Sequence, residues 1–248
     1  MSYDKVNKLL LKLRMLRPLN EGELKRLNEE FTIQYTYNSN AIEGNSLTLR
    51  ETALVLQHGV TIAEKPLKDH MEAIGHRDAF THVEELVRDK APLSESLIKQ
   101  LHSLVLMHDN INKGVYRKIP VTILGSEFEP PQPYLVPIQM EQLIQDYNTW
   151  LADTDIIEAA SLLHLKFETI HPFIDGNGRT GRLMLNLELM KAGLLPIDIK
   201  FKDVERYYSA FDEFNVSGKA DKMISLVSEY EIERLEKYIE ILDNYGRA

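Results

Sequence analysis

No cysteine occurs among the 248 residues, so the chain can form neither a disulfide nor a thiolate metal site. That fits a reducing compartment, and a cytoplasmic location is the expectation. Long hydrophobic runs are missing too. Nowhere do about twenty apolar residues follow one another, the length a helix needs to cross a bilayer, so no membrane span is predicted. The opening MSYDKVNKLLLKLRMLRPLN has its apolar residues interrupted by Lys8, Lys12, Arg14 and Arg17. It lacks the continuous apolar stretch of a signal peptide and reads as an amphipathic helix ended near Pro18. Positive charge is scarce: 29 Lys and Arg face 38 Asp and Glu, a formal net charge of −9. No basic field is therefore available to hold nucleic acid by its phosphates. What remains, 44% hydrophobic and 27% charged residues, is an ordinary globular balance. The length allows one domain with an extension, or two small domains.

Helical periodicity dominates. Leu24, Leu27, Phe31 and Tyr35 recur at spacings of three and four, as do Leu97, Leu101, Leu104 and Val105. Residues 139–151 and 156–170 carry the same signal. Leu183, Leu185, Leu187, Leu189 and Met190 mark a mostly buried helix that stops at Gly193 and Pro196. A last helical segment covers roughly 203–243, broken near Asn215 to Gly218. One stretch departs from the pattern: residues 114–137 hold five of the ten prolines and a β-favouring run, Ile119 to Leu124. Pro120 cannot donate to a ladder, so a strand here belongs at an edge. A short edge hairpin followed by an extended loop fits the pattern, but taken alone the stretch is better read as a surface connection between helices.

The densest chemistry lies in one uninterrupted run, His171-Pro172-Phe173-Ile174-Asp175-Gly176-Asn177-Gly178-Arg179-Thr180-Gly181-Arg182. Pro172 should end the preceding helix and leave His171 at its C-terminus, as a base working near neutral pH. Asp175 is a hard oxygen ligand suited to Mg²⁺. Gly176 and Gly178 permit a backbone that presents N–H groups to an anion, at the start of a helix beginning near Asn177 to Arg179. Arg179 and Arg182, three residues apart, share a helical face and can grip phosphate oxygens in bidentate fashion. Phe173 should anchor the loop in the core. Singly, a histidine before proline is more often structural, Gly-Asn-Gly a turn, and two such arginines a solvated face. Together and in order, they favour one site over three accidents.

This run resembles the HxFx(D/E)GNGRxxR signature of the Fic-domain family, and residues 70–200 look like a Fic core. The resemblance implies an all-α helical bundle with a small β-hairpin flap over the site. It also implies transfer of AMP from ATP to a Ser, Thr or Tyr hydroxyl of a protein target, or of the chain itself, with pyrophosphate leaving. His171 would take the hydroxyl proton and Asp175 would hold Mg²⁺. Gly176, Asn177 and Gly178 would cradle phosphate, and Arg179 and Arg182 would grip the outer groups. The flap maps onto Val121, Thr122, Ile123 and Leu124, which would pair with an extended target segment by strand addition. Relatives that phosphorylate usually depart from GNGR, which this chain keeps.

A second match lies upstream. Ser39-Asn40-Ala41-Ile42-Glu43-Gly44 resembles the (S/T)xxxE(G/N) inhibitory signature of the family class with an N-terminal brake. On a helix Ser39 and Glu43 share a face, and Gly44 suits a helix end. The implied role is that Glu43 pairs with Arg182 and misplaces the nucleotide. The motif is short enough to arise by chance; beside an intact signature, the brake is the reading taken. The same glutamate suits a hydrolase that removes AMP from a modified target. A Fic-like binding module using only the flap is the rival from another class.

The expected organisation is an N-terminal helical region with the brake over 1–69, a core over 70–200, and a C-terminal extension over 201–248 packed on it. The extension lacks a basic recognition helix. The resemblance also makes a homodimer plausible. Tyr207 and Tyr208 could line an adenine pocket, as this part of the chain does in similar proteins, or serve packing. The remaining histidines, His58, His70, His76, His82, His102, His108 and His164, lack metalloprotease flanks and read as solvated or structurally bonded.

Overall fold

The computed structural model describes residues 2–16, 20–123 and 128–245. Among the described residues there are ten α-helices and no strand: α1 (Ser2–Met15), α2 (Glu21–Ile42), α3 (Leu49–His58), α4 (Leu67–Arg88), α5 (Glu95–Val105), α6 (Val136–Asp153), α7 (Ile156–Ile170), α8 (Asn177–Lys191), α9 (Val204–Ser217) and α10 (Asp221–Tyr245). Short 3₁₀ turns precede α6 and α9. The helix starts follow their caps. Asn20 with Glu23, and Thr48 with Glu51, form reciprocal capping boxes on α2 and α3, while Ser94 and Asp155 cap α5 and α7. The sequence break before the last helix falls at Gly218, the C-cap of α9. Pro18 lies outside the described residues.

α8 is the spine. Leu183, Met184 and Leu187 belong to a core shared with α2, α4, α5, α6 and α7. Leu185 and Leu189 belong to a second core shared with α1, α7, α9 and α10. At 100° per residue these two sets point to opposite sides, so α8 presents apolar residues to a core on each side and is buried from both. Burying each leucine contributes roughly 1.5–3 kcal/mol, so the first turn of α8 starts from a fixed axis. α7 packs alongside it, and the loop between these two helices is the His171–Gly176 run.

α2 is fastened along its length. Arg234 of α10 lies 4.2 Å above the Phe31 ring, and Lys237 pairs with Glu30 at 2.8 Å. The Asn38 amide donates to Asp198 at 2.7 Å, while its carbonyl accepts from the Phe201 N–H at 3.0 Å. Gly44 follows in the left-handed region, φ 87°. A Cβ there would meet nothing within 4 Å, so glycine is favoured by conformation, not by space.

The expected β-hairpin flap is not seen. Leu124 lies outside the described residues; Val121, Thr122 and Ile123 are in neither strand nor helix. The cause is a shortage of ladder groups. Pro120, Pro130, Pro131 and Pro133 have no N–H to give. The carbonyls of Ile119 and Pro131 are already taken by the Arg117 guanidinium.

Candidate active site

His171 caps α7 with φ 48°, its N–H still bonded to Phe167 O at 2.9 Å. A non-glycine residue in this region carries about 1–3 kcal/mol of strain and persists only where its surroundings hold it. The Arg117 Nε donates to the His171 carbonyl at 2.8 Å, and the Arg117 N–H to the Pro172 carbonyl at 2.9 Å. Phe173, fully buried, stacks on the His102 ring with centroids 3.6 Å apart. The Gly114 N–H donates to His102 Nδ1 at 2.8 Å, so Nε2 carries the proton and donates to the Asp175 carbonyl at 2.8 Å. Burial lowers the His102 pKa to about 4, consistent with that neutral tautomer. Asn177 closes the loop: its side chain accepts from the Phe173 N–H and donates to the Phe173 carbonyl, both at 2.9 Å. Gly176 caps α8 at φ 78°, and no side chain caps that helix. Its first-turn N–H groups are thus left for an anion.

Burial brings the His171 pKa down to about 4, so the imidazole is neutral at pH 7. Nδ1 is buried and makes no close hydrogen bond; in the tautomer with the hydrogen on Nδ1, Nε2 is free to accept a proton. Glu168, one turn earlier on α7, approaches Nδ1 to 3.7 Å. Burial, reinforced by the charge of Glu43, raises the Glu168 pKa to about 8. Burial thus disfavours the charged form of both groups, which argues against reading their contact as an ion pair.

The arginines are buried and spoken for. Arg179 (1% exposed) pairs with Glu72 of α4 at 2.9 Å and with Asp175 at 3.0 Å. Burial pushes the Asp175 carboxyl up, but Arg179 and Lys68 outweigh it and hold it below its usual range. Asp175, Glu72 and His108 each offer a ligand atom, all within 4.8 Å of one another. Arg182 (2% exposed) donates through Nε to Ser39 Oγ at 3.0 Å and through Nη2 to the Ser39 carbonyl at 2.7 Å. The same Nη2 reaches Glu43 Oε1 at 2.8 Å. Glu43 is the C-cap of α2, and its carboxylate lies over the first turn of α8: a Cβ on Gly178 would run into it.

The structure thus gathers His171, Asp175, Gly176, Asn177, Gly178, Arg179, Arg182, Ser39 and Glu43 into one locus. Tyr207 is buried and bonds Arg182 Nη1 at 3.2 Å and His164 Nε2 at 2.7 Å through its hydroxyl. Tyr208 is half-exposed beside it and donates to the Ile42 carbonyl at 3.3 Å. Val121, Thr122 and Ile123 connect to the locus through the backbone of Ile119, which Arg117 holds. Among the other histidines, His70, His76 and His164 are bonded structurally, to Ile62 and Pro66, to Thr36, and to Tyr207.

Sequence reasoning missed Glu72, His102, Arg117 and Glu168. Only Glu168 carried a local signal, its spacing of three before His171 on a helix ending there. The others arrive from α4, α5 and the proline-rich stretch by tertiary packing.

Residues 92–189 match the Fic/DOC family. The chain is 35% identical over 205 residues to the protein adenylyltransferase Fic of Nematostella vectensis, covering 80% of this chain and 47% of that protein. It is 34% identical over 224 residues to the protein adenylyltransferase fic-1 of Caenorhabditis elegans, covering 87% and 43%. It therefore spans less than half the length of these relatives. A Fic domain containing signaling protein from Bacteroides thetaiotaomicron superposes with a TM-score of 0.90 at 31% identity, over 97% of this chain and 98% of that one. A segment of Fic-1 from Caenorhabditis elegans gives 0.87 at 28%, over 98% and 72%. Near-complete coverage at that identity, on a helical scaffold built around the intact His171–Arg182 run, makes this chain a member of the Fic/DOC family.

Proposed function

We propose that this chain transfers AMP from ATP to a hydroxyl side chain of a protein target, and of itself, and that Glu43 restrains it. The observation that carries the reading is the Glu43 carboxylate lodged against Gly178 and Arg182 at 2.8 Å. One anion already occupies a cradle made for anions, where a phosphate group would meet the same arginine. The relationship to proteins named adenylyltransferases supports the choice of ATP.

The residues fit that substrate. Gly178 leaves room for an anion over the uncapped start of α8, and Arg182 is a buried, charged fork aimed at that room. Arg179 keeps one buried nitrogen, Nε, without a partner. His171, neutral through burial, accepts the target hydroxyl proton at Nε2, and the resulting oxygen bonds to the α-phosphorus as the bond to pyrophosphate breaks. Arg182 and the N–H groups of α8 hold the departing phosphates. Asp175 would hold Mg²⁺, which when bound neutralises charge on the phosphate oxygens. In this reading residues 1–69 carry the restraint, 70–200 the chemistry, and 201–248 a supporting extension.

The test uses ATP labelled at the α-phosphate with Mg²⁺ and cell lysate. Label on protein that is strong for Glu43→Gly and absent for Glu43→Gly with His171→Ala supports transfer, base and brake together. Label from neither variant, with AMP instead released from a pre-modified protein by wild type, would replace the reading with hydrolysis at the same site.

A further inference from the structure

Arg117 is a cation in an odd place. It is 3% exposed, and no carboxylate pairs with it among the described residues. Its guanidinium donates to four main-chain carbonyls: His171 at 2.8 Å, Ile170 at 3.4 Å, Ile119 at 3.3 Å and Pro131 at 2.5 Å. Its own N–H adds the Pro172 carbonyl at 2.9 Å. Burying a charge that no carboxylate among the described residues offsets is costly, and the guanidinium repays that cost by bonding carbonyls that an apolar side chain would leave unsatisfied. These bonds tie together two parts of the chain. The first is the last turn of α7 with the strained His171, whose carbonyls have no helical partner. The second is the backbone at Ile119 and Pro131, on either side of the proline-rich stretch.

We propose that Arg117 is the positioning residue for His171, holding the base in its left-handed pose and bracing it against the backbone at Ile119 and Pro131. This rests on reading His171 as the base. A planar fork with five donors spread over three nitrogens reaches carbonyls from separate segments at once; lysine has three donors on one compact nitrogen and cannot span them all. The electrostatics agree. Burial is the main cause that keeps the imidazole neutral, and the Arg117 charge acts in the same direction, against Glu43, Asp175 and the Glu168 carbonyl. Arg117 lies next to Tyr116, whose hydroxyl donates to Glu95 at 2.8 Å, so the segment is anchored on its other side as well.

The experiment places Arg117→Lys and Arg117→Gln in the Glu43→Gly background of the full chain, each checked for a cooperative thermal transition. Self-labelling from α-labelled ATP is timed at saturating ATP. Affinity for a non-hydrolysable ATP analogue with Mg²⁺ is measured by calorimetry. A displacement of the base by about an ångström costs on the order of a hundredfold. The Arg117→Lys rate should therefore fall about that far, with analogue affinity unchanged within about twofold. A rate within about threefold of the parent, or a raised KM for ATP with the rate intact, overturns the proposal. If the Glu43→Gly parent itself transfers no label, the functional reading fails first, and Arg117 is judged on ¹⁵N-histidine spectra. There the His171 signal, assigned by its loss in His171→Ala, should broaden or double in Arg117→Lys and titrate at higher pH in Arg117→Gln. A single, unshifted signal in both overturns the proposal independently of activity.

Discussion

Replacing Glu43 by glycine removes one carboxylate and nothing else from the site. Arg182 loses the 2.8 Å bond to Glu43 but keeps Ser39 Oγ at 3.0 Å, the Ser39 carbonyl at 2.7 Å and the Tyr207 hydroxyl at 3.2 Å. It stays anchored and becomes available. A hydrogen bond to a charged group contributes roughly 1.5–3 kcal/mol. That contact must be broken before a phosphate can take its place, and each 1.36 kcal/mol is a factor of ten. Release should therefore raise AMP transfer about 10- to 150-fold, at a stability cost no larger than the same about 3 kcal/mol. The assay is the initial rate of protein labelling from α-labelled ATP at saturating Mg²⁺. Glu43→Gln, which keeps the shape and loses the charge, should fall between wild type and glycine. A Glu43→Gly rate within about threefold of wild type, in a protein that still unfolds cooperatively, would refute the pairing as a restraint.

Three further outcomes are expected. Gly181→Ala would bring a Cβ to 2.6 Å from Glu168 Oε1 and 2.7 Å from His164 Nδ1, separating α7 from α8; urea unfolding should show a loss of about 1–3 kcal/mol. Glu168 has its pKa raised by burial from 4.5 to about 8, so the stability it contributes is whole below about pH 4.5 and lost as pH rises toward 8. Wild type should therefore lose ground to Glu168→Gln over that window, by up to about 1.4 kcal/mol per pH unit; a difference that is flat with pH would show Glu168 already ionised. Tyr207→Phe removes an acceptor from Arg182 and a donor from His164, which should cost roughly 1–3 kcal/mol in thermal or urea unfolding, with weaker binding of an ATP analogue by calorimetry.

How much of this was legible in the sequence follows from distance along the chain. The His171–Arg182 run was readable because its geometry is local: proline ends one helix, glycine opens the next, and the arginines fall on one turn. Ser39 and Glu43 were readable as a pattern on one helical face, although the arginine they meet is 139 residues away. Glu72 on α4 was invisible, since a buried glutamate in a helix announces itself only once its arginine partner is placed. Arg117 carries no signal of its own in the sequence. The β-favouring residues next to it suggested a hairpin, yet the same arginine takes the carbonyls a hairpin would use. His102 looked like one more scattered histidine, and its value lies in stacking on Phe173, a contact that no spacing encodes.

The fastening of α2 along its length has one more consequence. Because that helix is held at Phe31, Glu30 and Asn38, the Glu43 carboxylate cannot drift away from Arg182; it can only rotate about its own side-chain bonds. It then behaves as a tethered anion, presented to the arginine at an effective concentration of millimolar order or above however dilute the protein. A dissolved phosphate compound must outcompete it through its own concentration and affinity, while the protein's expression level or dilution leaves the contest unchanged. Whatever frees Arg182 has only to turn one side chain through a rotamer, a far smaller task than moving a domain.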